Sequence, residues 1–127
     1  MDFKTATLHV RRRKNGTPAT HPLTGREIRA RRKHQRESER SPFVFVSERG
    51  APLTAPGFSR MVEWAAAVTD LGIKAHAHML RHACGYKLAN DGIDTRSLQA
   101  YLGHRNIQNT TRYTALAPDR FKGFWKD

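Results

Sequence analysis

The sequence predicts a mainly helical α+β fold with a small N-terminal β-hairpin. Residues 5–10 alternate between apolar and polar side chains, which indicates a half-buried strand. Apolar residues recur at helical spacing from Phe58 onward, and the pattern continues through the second half of the chain. The 127 residues are enough for one domain with one modest core, and a single cysteine excludes an intrachain disulfide.

A basic hairpin is predicted at the N-terminus. The first strand is followed by the run Arg-Arg-Arg-Lys at 11–14 and then by Asn15-Gly16, a pair that favours a tight hairpin turn. The return strand, about 17–23, contains two prolines and should be short or lie at an edge. The basic tip is either a solvated turn or a ribbon that contacts phosphates, and these residues alone leave both interpretations open.

Two segments of different character follow the hairpin. Thr24 and Glu27 have the spacing of a capping box, which predicts a helix from 25 to about 37. Its interior is nearly all polar and basic, so it should lie on the surface as a solvated face. The apolar run at 43–46 is predicted to be a buried strand or an extended core segment.

A second helix is predicted after Thr54, which can cap it, with Pro56 in its first turn. Apolar side chains at helical spacing should form a stripe that faces the core. The stripe consists of Phe58, Met61, Val62, Ala65 and Val68.

A third helix is predicted over 77–90, and Asp91-Gly92 should stop it. We expect one face of this helix to be buried. That face consists of Leu80, Ala83, Cys84, the stem of Lys87, and Leu88.

Three more helices complete the predicted fold. Asp94 or Thr95 caps the first, and Asn106 caps the second. The buried residues of the first should be Leu98, Tyr101 and Leu102. The last is a short helix after Pro118, and its apolar face should dock on the core or on a neighbouring protomer. That face consists of Phe121, Phe124 and Trp125.

The charge of the chain points to a polyanionic partner. The sequence has 23 Lys and Arg against 11 Asp and Glu, a formal net charge of +12. Nucleic acid is the commonest such partner, but ribosomal and membrane-surface proteins share this charge balance, so charge alone leaves the partner open. Double-stranded DNA, the partner we expect, is implied by the motif set described below. No apolar run is long enough for a transmembrane helix, and the N-terminus has no signal-peptide pattern, so a cytoplasmic protein is expected.

One stretch carries a motif set of higher specificity. It begins with His78-Met-Leu-Arg81-His82, passes Leu-Gly-His104, and ends on Tyr113, nine residues after that histidine. It resembles boxes II and III of the tyrosine recombinases, the phage-integrase family of DNA strand-exchange enzymes. The resemblance implies a partial tyrosine recombinase catalytic domain over residues 1–127 that works without a cofactor or metal.

The resemblance assigns a role to each matching residue. Tyr113 is implied to be the nucleophile that forms a 3′-phosphotyrosyl bond and frees a 5′ hydroxyl. An ordinary phenol has a pKa of about 10, so the nucleophile needs a base and positive surroundings. His78 matches the residue that helps to deprotonate it, Arg81 matches the second of two phosphate-clamping arginines, and His104 matches the histidine that bonds the phosphate.

The hairpin is implied to supply the proton for the leaving oxygen. Lys14 matches the family's lysine in that role, and Arg13 is the near competitor. A guanidinium holds its proton too tightly to be a good acid, which favours Lys14. Arg11, Arg13 and Arg105 are expected to contact DNA.

One family element has no counterpart here. The family's first arginine lies in box I, upstream of the hairpin, and no residue of this chain matches it. Ala77 also stands where many members have proline. We therefore expect a truncated recombinase with impaired catalysis, acting as a homo-oligomer or beside an intact recombinase through its C-terminal helix.

Other interpretations of the same residues are available. His76, His78, His82 and Cys84 could suggest zinc, but Cys84 is rotated away from the shared face and a second cysteine is absent. The helices at 78–90 and 94–102 could form a helix-turn-helix, or the chain could be a DNA-binding remnant that does not cleave. Tyr86 and Tyr101 are rival nucleophiles by chemistry. We expect His82 to bond to the backbone structurally.

Overall fold

The computed structural model describes residues 1–12, 14 and 16–117. These residues form two compact units: Met1–Leu23 with the described part of Arg81–Asp127, and Thr24–Leu80. The mainly helical class with one small sheet is confirmed. The elements are β1 (Thr7–Val10), β2 (Ala19–Pro22), α1 (Gly25–Glu37), α2 (Ala55–Val68), α3 (Ala77–Asn90), α4 (Thr95–Leu102) and α5 (Gln108–Ala115).

The predicted N-terminal strands are confirmed, although both are shorter than expected. β1 pairs antiparallel with β2, so that Thr7 lies opposite Pro22 and Val10 lies opposite Ala19. Both strands are edge strands, which is why a proline is tolerated at the end of β2. Asn15, half of the predicted turn pair, lies outside the described residues.

The capping box that predicted α1 is confirmed. The Glu27 amide donates to Thr24 Oγ1 at 3.3 Å, and the Thr24 amide donates to Glu27 Oε2 at 2.7 Å. None of the residues of α1 is buried, in agreement with the predicted solvated face. Thr54 also caps α2 as expected, because its Oγ1 accepts from the Gly57 amide at 3.1 Å.

Burial in the unit Thr24–Leu80 differs from the prediction. Only Ala66 of α2 is buried, so the predicted core-facing stripe was wrong, and Met61 and Val68 in it are exposed. The run at 43–46 is not a buried strand either, since Phe45 is 62% exposed. The physical reason is that no described element of this unit packs closely enough on α2 to cover its apolar side.

The bounds of α3 match the prediction, and Gly92 follows the helix with a φ of +86°. Its buried face matches only in part. Leu88 is partly buried against the core as expected. Gly85 and Ala89 are buried, whereas Leu80 and Ala83, which we expected in the core, are exposed. The small residues face the core because larger side chains from α4 and α5 occupy the space there.

The core of the unit that contains α4 and α5 is small. Asp94 caps α4 as one of the two predicted candidates, accepting from the Ser97 amide at 2.9 Å. The N-cap of α5 is Ile107 and not the predicted Asn106, which lies one residue earlier. Asn106 Oδ1 still accepts from the Gln108 amide at 2.9 Å. Tyr101 was wrongly placed in the core and is 47% exposed. The buried cluster is Ala89, Leu98, Leu102, Tyr113 and Ala117.

The predictions of a C-terminal helix and of no transmembrane helix are limited by the range of described residues. The predicted C-terminal helix with Phe121, Phe124 and Trp125, and the oligomer contact assigned to it, lie outside the described residues. In the described part of the chain, no helix is both long and apolar enough to span a membrane.

Candidate active site

Tyr113 is the centre of the candidate site. It lies on α5 with 0% of its surface exposed and is the largest fully buried side chain among the described residues. The ring packs against Gly85 of α3, where an added Cβ would lie 2.9 Å from three ring carbons. Tyr86 approaches the same ring edge-on, with 5.0 Å between centroids. A glycine on α3 therefore creates the space that the tyrosine ring fills.

The Tyr113 hydroxyl has two polar neighbours. His82 Nδ1 lies 2.9 Å from the hydroxyl oxygen, at hydrogen-bonding distance. Arg112 Nη2 donates to the same oxygen at 3.3 Å, and its guanidinium carbon lies 5.1 Å from the ring centroid. The phenol can donate its proton to His82 Nδ1 or accept one from it, depending on the tautomer of the imidazole. The hydroxyl thus lies between a guanidinium and an imidazole.

His104 also lies beside the Tyr113 ring. Gly103 ends α4 with a φ of +68°, and this turn directs His104 inward. The imidazole is nearly parallel to the Tyr113 ring, with 6.4 Å between centroids and 14° between planes. Its Nδ1 lies 2.8 Å from the hydroxyl oxygen of Thr110, which is fully buried. The contact with Thr110 fixes the orientation of the imidazole.

Arg81 brings a partly buried positive charge to the site. Its Nη2 donates to the Leu102 carbonyl, at the end of α4. Burial lowers the pKa of Arg81, and the nearby charge of Arg12 lowers this pKa further, while interaction with Tyr113 and Cys84 raises it. The guanidinium is protonated at all physiological pH values in any case. The lowered pKa reports a cation that is partly desolvated beside a second cation.

The structure brings together only some of the predicted site residues. Arg81, His104 and Tyr113 all belong to the unit that contains α4 and α5. His78 is exposed in the first turn of α3 and belongs to the other unit. Lys14 is exposed, with a φ of +55°.

The structure describes two of the three residues that are expected to contact DNA. Arg11 and Arg105 are exposed, as contact with a polyanion requires, and Arg13 lies outside the described residues. Among the described His, Cys, Asp and Glu residues, no group of three is placed to hold a metal ion.

Three residues near Tyr113 were missed as site residues. The contact of His82 with the phenol was not anticipated, since we expected a backbone bond for it. A signal was available, because position 82 lies on the same helical face as the buried positions 85 and 89. Arg112 and Thr110 carried no comparable signal, because their contacts with the Tyr113 hydroxyl and with His104 follow from side-chain orientations that periodicity does not give.

Comparison with known proteins gives matches over most of the chain. The family described as "Phage integrase family" matches residues 1–120. Type 1 fimbriae regulatory protein FimB of Escherichia coli (strain K12) is 40% identical over 130 residues, covering 98% of this chain and 65% of FimB. Tyrosine recombinase XerC of Bacillus subtilis (strain 168) is 36% identical over 80 residues, covering 63% of this chain and 26% of XerC.

Solved structures share the fold. XerA recombinase superposes with a TM-score of 0.77 at 20% identity, covering 98% of this chain and 47% of XerA. The Tn1549 transposon integrase in complex with circular intermediate DNA gives a TM-score of 0.75 at 18% identity, covering 89% of this chain and 46% of the integrase. This chain thus spans about two thirds of FimB and about half of each structural neighbour.

Proposed function

This chain belongs to the phage integrase family, and we propose that it takes part in site-specific DNA recombination by cleaving and rejoining strands through Tyr113. The relative XerC is named as a tyrosine recombinase, and the Tn1549 integrase structure contains DNA. The net charge of +12 fits a DNA partner. Residues 1–127 would then form part of the catalytic domain.

The hydroxyl of Tyr113 carries the proposal. A phenol attacks a phosphate well only when a neighbouring group takes its proton. His82 Nδ1, 2.9 Å from the hydroxyl oxygen, has the separation expected of a nucleophile and its base. The resemblance implies His78 for this task instead, so the two histidines are competing candidates.

The proposed step balances as a transesterification. The phenol oxygen forms a bond to phosphorus, the bond from phosphorus to the 5′ oxygen breaks, and the phenol proton passes to a histidine. Lys14 is proposed to donate a proton to the leaving 5′ oxygen. Arg81 and His104 stabilise the negative charge on the nonbridging oxygens in the transition state. Rejoining is the reverse step with another 5′ hydroxyl, and it needs no ATP because the phosphotyrosyl bond keeps the energy of the broken bond.

Access to Tyr113 requires a side-chain movement. The tyrosine is 0% exposed, so a DNA phosphate cannot reach its hydroxyl in the arrangement described. Arg112 is exposed and donates one hydrogen bond of 3.3 Å to the hydroxyl. A phosphate competes well for an arginine. We therefore infer that Arg112 moves to a phosphate when DNA binds, and that the Tyr113 hydroxyl then becomes accessible.

The deciding experiment traps the covalent intermediate on a nicked suicide duplex and separates it on a denaturing gel. We expect a covalent adduct that Tyr113→Phe abolishes. His82→Gln should lower the rate about 10²- to 10⁴-fold if it is the base, and His78→Gln serves as the matched comparison. An adduct that persists in Tyr113→Phe would refute the assignment of the nucleophile.

A DNA-binding protein that does not cleave is the second candidate. The charge of +12 favours it, because charge alone accounts for binding to a polyanion. In that case the wild-type chain would bind duplex DNA in a salt-sensitive way, and Tyr113→Phe would change nothing that can be measured. Binding without any adduct over a long incubation would select this candidate.

A further inference from the structure

Arg12 is a cation of the site that the motif set does not include. It follows β1, is partly buried, and its Nη2 donates to the Tyr101 carbonyl at 3.3 Å. Arg81 donates to the next carbonyl along the chain, that of Leu102. The end of α4 therefore holds two guanidiniums side by side, one from the hairpin and one from α3.

The space for Arg12 depends on Gly103. A Cβ at that position would lie 2.5 Å from Arg12 Nε and 2.8 Å from the Thr17 carbonyl oxygen. The Thr17 amide in turn donates to the Gly103 carbonyl at 3.0 Å. The hairpin is thus hydrogen-bonded to Gly103 at the end of α4, directly before His104.

The two arginines are poorly compensated. The ion pairs found among the described residues, Lys33 with Glu37 and Lys87 with Asp91, include neither of them. Arg12 Nε is buried and has no hydrogen-bond partner in the described part of the chain. Each guanidinium uses one of its five N–H donors on a carbonyl there. The carbonyls at the end of α4 offset part of the repulsion, but they carry only partial charges.

We propose that Arg12 and Arg81 form a phosphate-binding pair at the C-terminal end of α4, in which Arg12 supplies the second guanidinium. An anion with several oxygens would accept the unused donors of both side chains and remove their mutual repulsion. Because the anion is taken to be a DNA phosphate, the assignment rests on the proposed function.

Helix capping by Arg12 is the competing explanation. An arginine that only satisfies the Tyr101 carbonyl would affect stability and leave anion binding unchanged. The two explanations separate when phosphate replaces chloride at constant ionic strength, because a ligand that binds the folded state raises the unfolding temperature. Inorganic phosphate is the first probe, and a labelled 20-base-pair duplex is the second.

For wild type we expect phosphate to raise the unfolding temperature. Arg12→Gln and Arg81→Gln should each weaken phosphate binding about tenfold, the effect of one charge-assisted hydrogen bond. Arg96→Gln, which removes the same charge from an exposed position of α4, should leave it unchanged. With the duplex, Arg12→Gln should reduce the slope of log affinity against log salt by about one.

The proposed pair would be overturned if phosphate raised the unfolding temperature equally in wild type and Arg12→Gln. It would also be overturned if phosphate did not change the unfolding temperature of wild type. If circular dichroism shows that Arg12→Gln does not fold, Arg12→Lys is tested instead. Lysine keeps the positive charge but lacks the planar guanidinium that bonds two oxygens at once. Full phosphate affinity in Arg12→Lys would overturn the proposed pair. The adduct assay keeps the two claims apart. A phosphate effect that depends on Arg12 in a chain that forms no adduct would sink strand cleavage and leave the arginine pair standing.

Discussion

Replacing Gly85 by alanine tests the packing that positions the nucleophile. In the interior of a helix, glycine to alanine normally stabilises by about 1 kcal/mol. Here the new Cβ would lie 2.9 Å from Cε1, Cε2 and Cζ of Tyr113, closer than carbon atoms approach without strain. The ring is fully buried and has little room to retreat. Overpacking of this kind costs about 1–3 kcal/mol, so we expect a net loss of up to about 2 kcal/mol.

Thermal unfolding followed by circular dichroism measures this change. A loss of 1 kcal/mol lowers the unfolding temperature of a chain of this size by roughly 4 °C. Ala83→Gly is the matched control, because Ala83 is exposed on the same helix and reports the helix propensity alone. If Gly85→Ala stabilised the chain by as much as Ala83→Gly destabilised it, the ring would not pack on Gly85 and the description of the site would be wrong.

Two further perturbations address the support of His104 and the start of α4. Thr110→Val removes the hydroxyl beside His104 Nδ1 and should cost about 1–3 kcal/mol in thermal unfolding, together with a lower adduct yield; Thr110→Ser keeps the hydroxyl and should retain the yield. Hydrogen bonds from the side chain and then the backbone of Ser97 hold the pKa of Asp94 below its ordinary value of 3.8. Because the pKa of Asp94 is lower in the folded state than in the unfolded state, its carboxylate stabilises the folded chain at pH values above the ordinary pKa. This stabilisation is lost as the pH falls through the folded-state pKa. Unfolding temperatures measured from pH 5 to about pH 2 should therefore fall less steeply in Asp94→Asn than in wild type, and parallel curves would contradict the cap.

Local signals in the sequence predicted most of the elements. Thr24 and Thr54 mark helix starts because each side chain accepts a hydrogen bond from the amide three residues ahead, so their effect needs no tertiary contact. Gly92 and Gly103 mark ends because the left-handed backbone conformation is a property of single residues. The resemblance to boxes II and III of the tyrosine recombinases also identified Arg81, His104 and Tyr113 in the sequence, although their chemical roles remain predictions.

Burial could not be predicted in the same way. Helical periodicity shows that Met61 and Val68 share a face, but whether that face is covered depends on what packs against it, and both are exposed. Tyr101 illustrates the same point, since it follows the spacing of a buried stripe and contacts His21 at 4.7 Å between centroids while staying half exposed. Periodicity defines a face, and only the neighbouring elements decide its environment.

The sequence by itself determined the family, the helical class and the residues that could carry the chemistry. Only the tertiary structure decided which of them meet. His82 and Tyr113 are 31 positions apart, and Arg12 and Tyr101 are 89 apart, yet each pair is joined by a hydrogen bond. Spacing along a chain constrains contacts only within an element or a turn. Contacts between elements follow from how α3, α4, α5 and the hairpin pack, and that packing set His82 and Arg12 beside the candidate site.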